Sequence, residues 1–546
     1  MPNQLKRFVG ISVVFVSGLA LAGCGRTADA SPKQSATIME QADISSLDST
    51  MITDVGALET INNAEEGLYR MKNSTTVEPG LATAIVTPTA NQTVYTFHLR
   101  KGLKWSNGDA LTANDFVYTW RRAVTPSTKA AHAYQFLPIK NAKAIENGKL
   151  SAKKLGVQAV NATTLKVTLT APTPYFKYLV ASAPFLPLNP KAVAKYGQGY
   201  GTSAQKTVYD GPFTVQNWTA SSTSWTLKKN PNYWDQRHVK LATVKFQVAK
   251  SPQTALSLYQ SKKLDNIVLS GQQAAQEKTN PGYLTYPSGE TDYLAYNFNH
   301  KAMRNRNIRR AISLAIDRQS LVDDVLKNGA KVPTGMAPAD IAKNPKTGRD
   351  FTQDAKVASD VAYNPKLAKR YWAKGLRQLG VKRLTLNLVC YDVDTFKNAA
   401  EYVQANTEKY LKGLSLKVNV QPKVQAITTM QKKQGYDIGF SNWISSYPEL
   451  NEFFQLLNTG NYNNAGSYSN AAFDRVYTRA NGTDAGNATQ RYADFKQANQ
   501  IAMTDQAVAV LNQGQIARLN NPQLKGVAYA AAQGISLKTA YKTSQK

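Results

Sequence analysis

Apolar residues follow a strand, helix and strand pattern between residues 384 and 421. They occupy every second position over residues 384–390 and again over residues 416–420, which is the period of a half-buried strand. Between these runs they recur at helical spacing over residues 396–411, and Gly413 suits a helix stop. The pattern predicts a parallel β-α-β crossover, right-handed by default.

Two further stretches have a clear period. Residues 308–327 carry one apolar face at helical spacing and are followed by Asn328-Gly329, which predicts a single helix. Residues 94–169 hold alternating runs at both ends with a helix predicted at about 113–124. The second stretch predicts a separate α+β insert.

The first residues read as an export signal. Lys6 and Arg7 precede an apolar run over residues 8–21, which is too short for a stable membrane span. The run ends in Leu21-Ala22-Gly23-Cys24, which resembles the bacterial lipobox. We expect residues 1–23 to be a signal peptide, Cys24 to carry the lipid, and residues 24–36 to be a polar tether. The alternative is a plain signal peptide with an incidental cysteine.

The charge balance is strongly basic, with 66 Lys and Arg against 36 Asp and Glu among 546 residues. The length suggests two or three domains. The basic residues are dispersed, so nucleic acid is not the expected partner. We interpret them, including the densest cluster, as a solvated basic surface that favours retention near anionic wall polymers and lipid headgroups. That cluster comprises Arg304, Arg306, Arg309 and Arg310.

Catalytic and metal-binding motifs are missing from the sequence. The four histidines have no metal-ligand spacing, and HExxH, CxxC and GxSxG do not occur. Gly197, Gly199 and Gly201 lack the spacing of a phosphate loop. Cys390 lies in an apolar strand pattern and is interpreted as a core residue. We predict no catalytic residue, no metal and no cofactor, although a glycosidase carboxylate pair cannot be selected or dismissed from sequence.

Four separated segments carry a resemblance to a known family. They are residues 95–126 (YTFHLRKGLKWSNGDALTANDFVYTWRRAVTP), 210–235, 293–318 and 436–468. In this order they resemble the family 5 extracellular solute-binding proteins, specifically the oligopeptide-binding members. With weaker matches between them, the similarity covers nearly all of the mature chain.

The resemblance implies an α/β, two-lobed, periplasmic-binding-protein-like fold with an extra α+β domain inserted in lobe I. A hinge near Tyr293 and residue 505 would join the lobes around a cleft. The implied ranges are 37–70, 201–292 and 505–546 for lobe I, 71–200 for the insert, and 293–504 for lobe II. The implied protein is a monomeric, lipid-anchored, extracellular receptor that passes oligopeptides to the permease and ATPase of an ABC importer.

The resemblance also implies where a peptide lies. An extended ligand would add a strand to backbone edges of both lobes, and hinge closure would bury it and signal the loaded state. The implied lobe II edge is Asn442, Trp443 and Ile444, and the facing lobe I segment is Thr53, Asp54 and Val55. The alternative for Trp443 is a core anchor.

One position departs from the family pattern. Many members place an aspartate three residues after this tryptophan, where it pairs with the α-amino group of the peptide; here that residue is Ser446. A serine cannot neutralise a buried ammonium. Either the ligand is longer or shifted in register, or another acid, Asp54 or Glu449, replaces the missing one. A shifted alignment and a ligand without a free amine are the remaining alternatives.

Other functions of the same fold stay open. Relatives of the family bind nickel, haem or oligosaccharides. The scarcity of histidine argues against metal and gives no support for haem. A sugar would need an aromatic-lined, carboxylate-poor cleft, which the aromatic content, with 28 tyrosines, leaves open. A receptor that captures a signalling peptide pheromone without nutrient import is the other alternative.

Overall fold

The structure is a computed structural model that describes residues 34–357, 362–531 and 534–544. The predicted signal peptide and the proposed lipid site at Cys24 lie outside the described residues. The first strand begins at Ser35, inside the range predicted as tether, because backbone pairing with residue 243 starts there. Within the described ranges, no helix is both long and apolar enough to cross a membrane.

Strands and helices alternate along the chain. The strands are β1 Ser35–Glu40, β2 Tyr69–Met71, β3 Val77–Pro79, β4 Val94–His98, β5 Val157–Asn161, β6 Thr164–Thr168, β7 Phe213–Gln216, β8 Ser224–Lys229, β9 Thr243–Val248, β10 Asn266–Val268, β11 Tyr283–Tyr296, β12 Leu384–Tyr391, β13 Leu414–Gln421, β14 Ile438–Ile444, β15 Val508–Asn520, β16 Leu524–Lys525, β17 Ala528–Ala530, β18 Gly534–Ser536 and β19 Tyr541–Lys542. The longer helices are Val55–Ala64, Ala113–Val124, Pro252–Gln260, Arg306–Ala315, Pro365–Leu379, Asp394–Tyr410, Lys423–Lys432, Ala471–Asn481 and Ala488–Asp505.

One ten-stranded sheet runs through both lobes in the order β13-β12-β14-β11-β15-β10-β1-β9-β8-β7. The two long strands β11 and β15 are antiparallel and lie in its middle. On one side β12, β13 and β14 form the sheet of lobe II, and on the other β1 and β7 to β10 form that of lobe I. Separate apolar cores pack against the two halves. The two-lobed α/β fold is therefore confirmed, whereas the predicted domain boundaries stay predictions.

The pairing of β11 with β15 is interrupted where the two halves meet. The register shifts between Pro287 and Thr291. Gly289 lies in this interval with a φ of 73°, a conformation that glycine adopts without steric cost. Gly514 on β15 faces the same interval, and a Cβ there would overlap Ser288 Oγ. The hinge predicted near Tyr293 and residue 505 stays a prediction.

The insert has its own sheet and core. β4, β6 and β5 form a three-stranded antiparallel sheet, and the helix Ala113–Val124 begins with a capping box between Thr112 and Asp115. Phe97 and Trp120 belong to the buried cluster of this unit. The strands and the helix predicted within residues 94–169 are confirmed.

The β-α-β prediction is confirmed as well. β12 and β13 pair in parallel over their whole length, from Leu384 with Leu414 to Tyr391 with Gln421, and the helix Asp394–Tyr410 connects them. Cys390 is fully buried, as expected of a core residue.

The prediction of a single helix over residues 308–327 is wrong. The helix Arg306–Ala315 is followed by Ile316 in an extended conformation, and Asp317 caps a new turn that continues as a π-helix over Leu321–Leu326. The break has a physical cause in Arg318, whose buried guanidinium donates to the carbonyls of Ser313 and Ile316. Apolar periodicity does not reveal such a break, because both pieces keep their buried face.

The prediction that the basic cluster is a solvated surface is also wrong in part. Arg304 is exposed, but Arg309 is only 2% exposed and donates to backbone carbonyls at the end of the helix Ala488–Asp505. Arg310 lies 4.5 Å over the ring of Tyr371. Two of the four arginines thus belong to packed contacts of lobe II.

Candidate functional site

Two adjoining cavities lie between the lobes. We call the smaller one, of about 190 Å³, the inner cavity, and the larger one, of about 750 Å³, the aromatic cavity. The inner cavity lies between residues 52–58 of lobe I, the insert, and residues 444–446 of lobe II. The aromatic cavity lies between the insert and lobe II. Gln135 lines both, so they form one cleft with two compartments.

The lobe II wall of the cleft offers an open strand edge. β14 pairs with β11 along its whole length, from Ile438 to Ile444. It pairs with β12 only at Ile438 and Gly439, so the rest of that edge has no strand partner among the described residues. An extended chain can add to such an edge through main-chain hydrogen bonds.

The lobe I wall is the N-terminus of the helix Val55–Ala64. Asp54 is its N-cap, and its carboxylate accepts from the backbone of Ala57 at 2.7 Å and from the hydroxyl of Ser45. Val55 is 69% exposed and lines the inner cavity. The Asp54 carboxylate is therefore committed to capping the helix, while its neighbour presents an apolar surface to the cleft.

The structure brings most of the predicted site residues together. Asp54, Val55, Ile444 and Ser446 line the inner cavity from opposite walls, as does Thr53. Trp443 lines the aromatic cavity and also packs against the lobe II core.

Asn442 is placed differently from the other predicted residues. It lies on the open edge of β14, but its side chain donates a hydrogen bond to Glu290 on β11. Its main chain can therefore meet a ligand, while its side chain connects the site to the interrupted part of β11.

An acid that the sequence did not suggest lies beside Ser446. The backbone N–H of Ser446 donates to Glu452 Oε2 at 3.1 Å. Glu452 is 6% exposed and lines the aromatic cavity. Burial raises the pKa of its carboxyl to about 7, with the nearby Glu449 charge acting in the same direction. Glu449 itself is paired with Arg491, its Oε1 lying 2.7 Å from Nη1.

Glu452 thus places a carboxyl beside Ser446, the position that departs from the family pattern. It occurs six residues after Ser446 on the short helix Asn451–Phe454, and that spacing carries no sequence signal. Of the two acids proposed from sequence, one caps a helix and the other forms an ion pair.

Aromatic rings form much of the larger compartment. Tyr134, Tyr175, Trp443, Tyr447 and Tyr462 line it. Tyr175 of the insert stacks on Tyr447 of lobe II, with ring centroids 5.3 Å apart and planes 15° from parallel. The stack joins the two walls across the cleft, and its rings provide flat apolar surface with polar edges.

The inner cavity is mainly apolar. Ile52, Val55, Leu58 and Pro184 line it together with Ile444. His132 also lines it; burial lowers the pKa of its imidazole, and Nε2 lies 3.1 Å from the carbonyl of Ile52. This compartment suits a small apolar side chain.

Comparisons with known proteins agree with this arrangement. The sequence model described as bacterial extracellular solute-binding proteins, family 5 middle, matches residues 76–465. The dipeptide-binding protein of Lactococcus lactis subsp. cremoris (strain MG1363) is 36% identical over 493 residues, which are 87% of this chain and 88% of that protein.

Two solved structures share the fold over almost the whole chain. The structure titled Listeria monocytogenes OppA bound to peptide is 34% identical, with a TM-score of 0.75 and coverage of 94% of this chain and 100% of its own. The pheromone receptor PrgZ, whose structure and mode of peptide binding are described, is 31% identical, with a TM-score of 0.76 and the same coverage.

Proposed function

Because the chain belongs to family 5 of the bacterial extracellular solute-binding proteins, we propose that it binds peptides in the interlobe cleft. One observation carries this proposal: the open edge of β14 faces the helix N-terminus of lobe I across a cavity. Main-chain hydrogen bonds from such an edge hold a peptide whatever its sequence, and the two compartments take its side chains. The residues proposed to contact the ligand are Asp54, Val55, Asn442, Trp443, Ile444 and Ser446.

The proposal extends to delivery. The protein would hand its peptide to the permease and ATPase of an ABC importer, acting as a monomer at the outer face of the cell membrane. A diacylglyceryl group on Cys24 would hold it there, since each buried methylene contributes about 0.8 kcal/mol. The peptide-bound relative supports the ligand class, and the lipobox-like residues 21–24 support the anchor. No enzymatic activity and no nucleic-acid binding belong to this proposal.

A second function has one specific observation in its favour, the similarity to the pheromone receptor PrgZ. The same cleft would then capture a signalling peptide. Growth of a deletion strain on peptides as the sole source of an essential amino acid separates the two functions, since unimpaired growth favours signalling.

Peptide binding is tested with a matched pair of exposed valines. We expect a mixed peptide digest to raise the melting temperature of the mature protein by a few degrees, and peptides to co-purify with it in mass spectrometry. Val55→Trp, in the cleft, should abolish both effects because the indole fills the inner cavity. Val424→Trp, at a position that is 78% exposed outside both cavities, should leave both unchanged.

Two outcomes would contradict peptide binding. One is a wild-type protein that responds to no digest. The other is a Val55→Trp variant that responds like wild type.

We propose that Glu452 replaces the missing aspartate as partner of the peptide amine. Its carboxyl has a pKa of about 7 in the folded protein, so it ionises as the pH rises from 5.5 to 7, while a peptide α-amine, with a pKa near 7.7–8.0, stays mostly protonated. The affinity for a peptide with a free amine should therefore rise roughly tenfold over this interval. Titration calorimetry at several pH values measures it.

The control peptide is the N-acetylated form, whose affinity should not rise with pH. Glu452→Gln should remove the pH dependence for the peptide with a free amine and leave the N-acetylated peptide unchanged. His132 also lines the cleft and remains in that variant, so a persistent rise would assign the titration to another group and contradict the role of Glu452.

A further inference from the structure

Two oppositely charged side chains, Glu452 and Arg491, line the aromatic cavity. Arg491 lies in the first turn of the helix Ala488–Asp505 and is 8% exposed. Arg491 is distant along the chain from the predicted site residues, so the sequence gave no reason to select it. Its placement in the cavity is nevertheless unusual, because a buried charge requires partners for its donors.

The guanidinium of Arg491 is only partly used. Nη1 pairs with Glu449 Oε1 at 2.7 Å. Nε and Nη2 are buried and have no hydrogen-bond partner among the described residues. The ring of Phe495 lies 4.7 Å from the guanidinium carbon and supports one face. The donor edge formed by Nε and Nη2 is therefore buried and unpaired within the described residues, while the side chain is held in place.

The Glu449 carboxylate does not cancel the charge of Arg491 alone. Lys177 of the insert lies near it: burial lowers the pKa of that ammonium, and the Glu449 charge opposes the shift. One carboxylate thus faces two cations from the two walls of the cleft. Because Glu452 lines the same cavity, the case for an added anion rests on the unpartnered donors of Arg491 and not on an excess of positive charge.

We propose that Arg491 binds a carboxylate of the ligand inside the aromatic cavity. This inference rests on the proposed peptide binding. It adds which chemical group of the ligand the aromatic cavity would recognise. A guanidinium offers two parallel donors that match the two oxygens of a carboxylate. Arg491 is buried, and an ionic contact at a buried site is stronger than the same contact in bulk water. A cavity of about 750 Å³ accommodates such a group together with its residue.

The carboxylate can come from the C-terminus of a short peptide or from an acidic side chain. Four synthetic peptides separate these sources: Ala-Phe-Ala-Glu-Ala and Ala-Phe-Ala-Gln-Ala, each as free acid and as C-terminal amide. The amide of the glutamine peptide carries no carboxylate and is the reference. We expect the peptide with the selected carboxylate to bind about 10- to 100-fold more tightly than the reference, as measured by titration calorimetry at pH 7.

Removing Arg491 alone would leave the buried Glu449 carboxylate without its ion-pair partner at 2.7 Å. The main variant is therefore the double substitution Arg491→Gln with Glu449→Gln, which removes both charges. It should reduce the ratio between carboxylate peptide and reference to about one, while the reference keeps its affinity. Arg491→Lys should retain part of the ratio, because an ammonium lacks the paired donors. Lys496→Gln, on the same helix outside the cavity, is the matched control and should preserve the full ratio.

The outcomes distinguish this inference from the proposed function. Equal affinity of all four peptides for wild type overturns carboxylate recognition and leaves peptide binding intact. A preference that survives in the double variant assigns the carboxylate to another group and also overturns it. Failure of all four peptides to bind wild type overturns the proposed function, and the carboxylate site with it.

Discussion

Replacing Arg309 with methionine should lower the free energy of unfolding by about 3–5 kcal/mol, because several buried carbonyls lose their donor at once. Nε donates to Gln506 at 2.8 Å, and Nη1 and Nη2 donate to Met303 and Asp505 at 2.7 Å each. This guanidinium joins the start of lobe II to the place where the chain enters β15. Methionine fills a similar volume but offers no N–H group.

The measurement is denaturant unfolding, with Arg304→Met as the control. Arg304 occurs five residues earlier and is exposed, so its substitution should change the free energy by less than about 0.5 kcal/mol. Arg309→Lys should fall between the two, because three donors replace five. Equal stability of the two methionine variants would show that the carbonyls find other partners.

The burial of Arg309 and Arg318 could not be predicted from the sequence. Clustered arginines at a helix start predict a solvated surface, because burial of charge is rare without a partner. The partners of Arg309 and Arg318 are backbone carbonyls supplied by segments far along the chain, Asp505 and Val510 among them. Local spacing carries no information about such partners.

The elements built on local periodicity were predictable. The crossover of β12 and β13 and the insert with its helix Ala113–Val124 follow from alternating and helical spacing, since each period reports which face is buried. That Val55 and Ile444 face each other across the cleft was predicted from the family resemblance instead, and both line the inner cavity. They lie in distant parts of the sequence, and no pattern within one sequence relates them.

The charged lining of the cleft required the structure. Glu452 approaches Ser446 through a short helical turn, and Arg491 reaches the cavity from a different helix. The sequence indicated that Ser446 stands where many family members have an aspartate, and this pointed to a missing charge in the site. It could not identify the replacement, because any acid brought near by the fold would serve.

The proposed ligand edge on β14 is physically continuous with the interrupted part of β11. The backbone N–H of Ser445, directly after β14, donates to the carbonyl of Gly289 at 3.0 Å. The Asn442 side chain donates to Glu290 in the same interval. A strand added to β14 therefore acts on segments bonded to the interrupted part of β11. Ligand binding and lobe closure should depend on one another through these contacts.

Replacing Gly514 with valine should weaken peptide binding at least about tenfold by disturbing this interval. A Cβ at this position would overlap Ser288 Oγ and lie 2.9 Å from Glu290 Cβ, on the facing strand. The serine hydroxyl can rotate away, but the second contact requires β11 and β15 to separate. Overpacking of this kind typically costs about 1–3 kcal/mol, and here the cost falls on the close approach of β11 and β15.

Calorimetry with one peptide and small-angle scattering with and without it measure the effect. We expect Gly514→Val to bind weakly and to keep a larger radius of gyration at saturating peptide. Gly199→Val is the control: its Cβ would meet only the end of the Lys206 side chain, at 3.4 Å, so affinity and compaction should match wild type. If Gly514→Val compacts and binds as the control does, closure does not depend on the close approach of β11 and β15.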